Sequence, residues 1–182
     1  AIVASGTEAG GHVGSIATMP LVPMVVDAVN VPVIATGGIG DARGFLAAFA
    51  LGALGVQIGT RFMATTESDL NAWGLDQLLA MKETDTIVSR AMTGSTVRCV
   101  TTPELTAYEE ARLSGASKEE LADLRKAVVR GRNTDKHDKR QSAMGQVGGM
   151  INDVRPVGEF IEEMIAEAAR LAGSVQDIAA RK

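Results

Sequence analysis

Short apolar runs that end in glycine set the pattern of the first sixty residues. Ala1–Ala4 is a strand-like run leading into Ser5-Gly6-Thr7-Glu8-Ala9-Gly10-Gly11-His12-Val13-Gly14. Val31–Thr36 ends at Gly37-Gly38-Ile39-Gly40, and Leu54–Ile58 ends at Gly59-Thr60-Arg61-Phe62. Runs of this length and make-up suit strands of a buried parallel sheet. Between them Met19–Val29 reads as a helix, which Pro20 and Pro23 confine to a first turn or to their C-terminal side. Asp41 caps a second helix over Ala42–Leu51, and Gly52 stops it. The resulting βαβαβ order predicts a parallel sheet with right-handed crossovers.

The pattern then loosens. Leu70–Lys82 reads as a helix, and Thr86–Met92 and Thr96–Thr101 as short extended segments around Gly94. Pro103–Leu113 is helical. Ser117-Lys118-Glu119-Glu120 is a capping box that opens a helix to about Val129. Gly131–Gln141, with Arg130 before it, is the most charged stretch and reads as an exposed loop. Ala143–Met150 is a further glycine-rich turn. In the last helix Pro156 suits the first turn, and Phe160, Ile161, Met164, Ile165, Ala168 and Leu171 recur at helical spacing; Gly173 ends it. Three regions follow: βα units over 1–66, a helical and loop insertion over 67–155, and a C-terminal helix over 156–173.

Composition narrows the class. The chain has 182 residues, 46% hydrophobic and only 3% aromatic, with 20 glycines. That length suffices for a sizeable core. The core must be built from Ala, Val, Ile, Leu and Met, and no aromatic surface for stacking single-stranded nucleic acid is expected. A net charge of −4 gives no field that would draw in nucleic acid. One cysteine, Cys99, excludes an internal disulfide framework and a multi-thiolate metal site. No apolar stretch has membrane-spanning length, so a cytoplasmic protein with no membrane partner is expected. The first residue already sits in a strand pattern, so an N-terminal part is expected to precede it.

The glycine turns carry the candidate chemistry. His12 stands among Gly10, Gly11 and Gly14, which take side chains away from both sides of the imidazole. A lone histidine is commonly structural; in so open a setting it is also able to move a proton near neutral pH. No second histidine or cysteine lies at metal-ligand spacing. Gly37-Gly38 and Gln57-Ile58-Gly59-Thr60 end successive strands, and their open N–H groups suit a phosphate. Gly38-Ile39-Gly40 lacks the third glycine of the dinucleotide fingerprint, and there is no Walker lysine, so a mononucleotide such as FMN fits better than NAD or ATP. Arg61 either neutralises that phosphate or pairs with a carboxylate. Gly145 and Gln146 belong either to a plain turn or to a backbone wall beside a cofactor ring.

Taken together, the segments Glu8–Gly14, Pro32–Ile39 with Asp41, Arg43 and Gly44, Gln57–Phe62, Glu67-Ser68 and Gly145–Gly149 resemble the C-terminal portion of the nitronate monooxygenase family, formerly 2-nitropropane dioxygenases. The resemblance spans nearly the whole chain. Its superfamily includes flavin enoyl-acyl-carrier-protein reductases and NADH:quinone reductases. It implies an α/β fold, the C-terminal part of an FMN-binding TIM barrel. It implies that His12 is the catalytic base or acid, and that Ser5, Gly10, Gly38, Gln57, Gly59 and Thr60 contact FMN, the last four around its phosphate. The expected activity is FMN-dependent oxidation of nitronates or nitroalkanes by O2. The alternatives are NAD(P)H-dependent reduction of an enoyl thioester or quinone, and a non-catalytic flavin-binding fragment. A full barrel needs about 250 residues, so three βα units make an incomplete one. Its open edges are expected to meet a completing N-terminal half or another copy.

Overall fold

The computed structural model of the chain describes residues 1–132 and 143–180. In chain order the elements are β1 (Ile2–Ser5), β2 (Gly11–His12), α1 (Thr18–Ala28), β3 (Val33–Thr36), α2 (Ala42–Ala50), β4 (Gly55–Gln57), a 3-10 turn (Thr60–Ala64) and α3 (Ala72–Ala80). Then come β5 (Thr86–Ser89), β6 (Val97–Val100), α4 (Pro103–Leu113), α5 (Lys118–Arg132), a second 3-10 turn (Gln146–Met150) and α6 (Val157–Ala180).

Two sheets result. The first is parallel, in the order β1-β3-β4, with Ala4 beside Ala35 and Ala35 beside Val56. It is an arc of a TIM barrel. Ala4, Val33 and Ala35 bury one surface of it against Val22 of α1 and Ala48 of α2. All three strands therefore end at the same edge, where their glycine turns gather. Asp41 caps α2 as its sequence foretells: its Oδ1 accepts from Arg43 N at 2.9 Å and Gly44 N at 3.2 Å. α6 covers the outer side of α2 through Phe160, Met164 and Ala168.

The second sheet is antiparallel and comes from the less regular middle of the chain. β5 and β6 pair as a hairpin, and β2 adds to its free side with Gly11 opposite Arg98 and His12 opposite Val97. The segment around His12, read from sequence as pure loop, is thus a short strand held by the hairpin. Helices α4 and α5 back that hairpin through Leu105, Tyr108 and Val128, which pack on Val97 and Cys99. The Ser117 capping box forms in both directions: Glu120 N donates to Ser117 Oγ at 3.2 Å and Ser117 N to Glu120 Oε2 at 2.8 Å.

The helix ends depart from expectation. α1 starts at Thr18 and carries Pro23 inside it, because tertiary packing of Val22 outweighs one lost backbone bond. α6 runs through Gly173 to Ala180. Gly173 keeps a negative φ there, so it is a weak interior residue rather than a left-handed cap. α5 continues to Arg132, so the charged stretch begins within a helix; the rest of that stretch, His137 included, lies outside the described residues. Among the described residues no helix is long and apolar enough to cross a membrane.

Cys99 is fully buried in β6, and that burial pushes its thiol up to about 11 despite the neighbouring Arg98. The thiolate is the reactive form, so Cys99 should be inert in the native state. Iodoacetamide at pH 8 should leave the Cys99 peptide unmodified in the folded protein and label it fully after unfolding, as read by mass spectrometry.

Candidate functional site

The three glycine turns at the sheet edge enclose a cavity of about 200 Å³. Gly10, Gly37, Gly38, Gln57, Gly59, Thr60 and Gly145 all line it, so seven of the residues singled out from sequence meet in one place. Gly37 and Gly38 adopt φ of +96° and +73°, a left-handed geometry that folds the chain back after β3 and that side chains resist. The N–H groups of Gly38 and Gly59 make no hydrogen bond to another described residue. Thr60 opens a 3-10 turn at the same edge, and a Cβ at Gly59 would meet nothing within 4 Å. Open amides beside a helix-like N-terminus are what an anion needs. Ser5, Gly11, His12 and Gln146 lie off this lining. Among the described residues Glu8 is the one charged residue on it, and nothing in the sequence pattern had given it a part of its own.

The far wall of the cavity is a crossing of two backbones. Gln146 N donates to Glu8 O at 2.9 Å, and Gly145 N donates to Thr60 Oγ1, also at 2.9 Å. A Cβ on Gly10 would stand 2.6 Å from Ala143 O, and one on Gly145 would stand 2.6 Å from Glu8 O. Only glycine at both positions lets the chains touch. Gly145 and Gln146 therefore close the wall through their amides. Because Thr60 Oγ1 accepts from Gly145, its own proton is left to donate into the cavity.

His12 faces a second, more open cavity shared with Val13, Arg90 and Thr96. The imidazole is exposed, and its Nε2 stands 3.5 Å from Thr93 Oγ1, at the limit of a hydrogen bond. A Cβ at Gly11 or Gly14 would meet nothing within 4 Å, so the ring stands in open space. Arg90 brings a positive charge to the same opening; as an isolated residue of an irregular segment it carried no sequence signal. Arg98, from the strand beside β2, ties the histidine loop to the hairpin. Its Nε donates to Thr7 O and its Nη1 to Thr86 Oγ1, each at 2.7 Å.

Arg61, which had two readings, points away from the glycine turns. Its Nη1 pairs with Asp153 Oδ1 at 2.8 Å, and its guanidinium lies 4.8 Å over the Phe160 ring. It lines a larger cleft of about 770 Å³ between α2 and α6. There Arg43, Arg61, Arg155 and Arg170 face Asp41, Asp153, Glu163 and Glu167, so among the described residues the charges of the cleft balance. Burial alone would raise the Asp153 carboxyl, but Arg155 and Arg61 hold it below the ordinary carboxylate range. The stability this adds is complete above about pH 4 and is lost as pH falls through the depressed pKa. Asp153→Ala should destabilise the fold by about 2 kcal/mol, less than for a fully buried pair because Asp153 is partly exposed. At the backbone crossing, Gly145→Ala should destabilise by about 1–3 kcal/mol through overpacking. Urea unfolding measures both.

A model of the family described as nitronate monooxygenase matches residues 1–167. A probable nitronate monooxygenase of Staphylococcus aureus (strain JH9) is 44% identical over 122 residues, which is 60% of this chain and 34% of that protein. The solved structure of FabK from Thermotoga maritima superposes with a TM-score of 0.81 at 35% identity, covering 97% of this chain and 56% of that one. The nitroalkane oxidase of Streptomyces ansochromogenes superposes with a TM-score of 0.72 at 28% identity, covering 95% of this chain and 52% of that one. The chain thus spans about a third of the curated relative and about half of each solved structure. On the family match over residues 1–167, and on the turns that build its sheet edge, the chain belongs to the nitronate monooxygenase family.

Proposed function

We propose that this chain carries the phosphate cradle and the proton-transfer histidine of an FMN-dependent oxidoreductase that oxidises nitronates or nitroalkanes. The observation that carries the reading is the cavity ringed by the Gly38 and Gly59 amides and the Thr60 hydroxyl. Those groups suit a phosphate ester without a metal or a lysine. Residues outside the matched half of the relatives would complete the flavin site, and a cytoplasmic setting suits such a protein. FMN, when bound, supplies the electron-accepting chemistry and the route to O2.

The chain's own residues do the rest. The N–H groups of Gly38 and Gly59 hold the phosphate and so fix one end of the cofactor. The β2–β6 pairing fixes the backbone of His12 opposite Val97. An imidazole nitrogen of His12 accepts the proton from the carbon alpha to the nitro group, and Arg90 on the same opening favours the anion that results. A substrate that enters as a preformed nitronate needs no such proton transfer.

A second reading, reduction of an enoyl thioester or quinone by NAD(P)H, is supported by the likeness to FabK over nearly the whole chain. Oxygen uptake with a nitronate, set against NADH oxidation with a quinone or an enoyl thioester, separates the two.

In the full-length protein, His12→Asn should keep FMN bound and lower turnover of a neutral nitroalkane by about 10²–10⁴-fold, with a much smaller loss on the nitronate. Equal rates for variant and parent on both substrates would remove His12 from the mechanism. Gly38→Leu should weaken FMN binding in a protein that still unfolds cooperatively. Unaltered affinity, read by flavin fluorescence, would place the phosphate elsewhere.

A further inference from the structure

We infer that Glu8 is a positioning residue that holds the phosphate turn in shape by acting as a remote cap for α1. The inference rests on reading the glycine-lined cavity as a phosphate site. α1 begins without a cap of its own: Ala17 stands at the N-cap position and offers no side-chain acceptor, and the first turn has no acidic residue. An uncapped helix start leaves donors without partners. Glu8, ten residues upstream, fills the gap. Its Oε1 and Oε2 accept from Thr18 N at 3.1 and 3.0 Å.

Thr18 passes that anchor to the cradle. Its Oγ1 lies 2.9 Å from Glu8 Oε2 and 2.9 Å from Gly37 O, so one hydroxyl proton is shared between two acceptors. The Gly37 carbonyl is the end of the turn that aims the Gly38 amide. Glu8 thereby reaches the phosphate turn through Thr18 and the opposite wall through its own carbonyl, which accepts from Gln146 N. Gly6 leaves the space for this clasp, since a Cβ there would stand 2.5 Å from Glu8 Oε2 and 2.6 Å from Thr18 N.

The clasp also explains how a carboxylate is tolerated in a cavity meant for an anion. Glu8 lines the cavity, and its Oε1 would lie 3.6 Å from a Cβ at Gly38. Both of its oxygens are engaged by the positive end of α1, and the guanidinium of Arg98 acts on it from the hairpin side. Its geometric role persists if the charge is removed. The two roles separate by substitution. Glutamine can still accept from Thr18 N while its amide donates to Thr18 Oγ1, which frees the hydroxyl proton for Gly37 O. Alanine loses every side-chain contact and keeps only the backbone bond from Gln146 N.

The test uses the full-length protein with Glu8→Gln, Glu8→Ala, Thr18→Val and Thr18→Ser. Two measurements are made: FMN affinity by flavin fluorescence, and amide hydrogen exchange of peptides covering 5–18 and 34–41 in protein stripped of flavin. Glu8→Gln and Thr18→Ser should bind FMN as tightly as the parent or tighter, with parent-like exchange. Glu8→Ala and Thr18→Val should exchange faster at residues 37–40 and bind FMN about fivefold or more weakly, the factor expected from losing a helix cap. Parent-like exchange in Thr18→Val, or FMN binding by Glu8→Ala as tight as in Glu8→Gln, would overturn the clasp. If Glu8→Ala does not fold, the Thr18 pair decides. A parent protein that binds no FMN would sink the cofactor reading alone, because the exchange measurement still judges the clasp.

Discussion

The site depends on one close approach: residues 8–10 and 143–146 cross with their backbones in contact. Each strand end alone is an ordinary glycine turn. The crossing makes them a cavity, because Gln146 N is satisfied by Glu8 O and Gly145 N by Thr60 Oγ1. These are bonds between segments more than eighty residues apart. They form only because neither Gly10 nor Gly145 carries a Cβ, which would otherwise stand 2.6 Å from the other backbone. A buried amide without a partner is expensive, so the crossing locks once formed.

The parallel sheet and the hairpin divide the labour. The sheet supplies the amides that suit an anion, set at the ends of β3 and β4. The hairpin supplies the orientation of His12, through pairing with β6 and through Arg98 bonded to Thr7 O. The region between the barrel-like units and the last helix is therefore more than a covering insertion. It holds the histidine and closes the cradle, while its own core around Cys99, Leu105 and Tyr108 keeps that hairpin rigid.

Charge follows the same logic. Arg61, Arg155 and Asp153 form a mutual network between α2 and α6, and among the described residues the charges of the large cleft balance. The small cavity is lined by one carboxylate and no cation among the described residues, so on the proposed reading the pull on a phosphate is left to backbone dipoles. Backbone amides are already oriented before a ligand arrives, so they bind without the entropy loss of ordering long side chains.

Much of this was legible in the residues themselves. The βαβαβ alternation, the Asp41 cap, the Ser117 capping box and the two extended segments around Gly94 all rest on neighbours within a few positions, and local physics places them; that those two segments pair as a hairpin is the structure's finding. The meeting of Gly10, Gly38, Gly59 and Thr60 was legible too, since parallel strands end on one edge. The remainder was decided by tertiary structure. Whether Gly173 stops α6, whether Arg61 meets a phosphate or Asp153, that His12 sits on a strand, and that Glu8 caps a helix ten residues away all depend on contacts between distant segments. Sequence spacing determines which turns a chain can make. Only the packed fold determines which donors and acceptors are left over and what lies close enough to satisfy them.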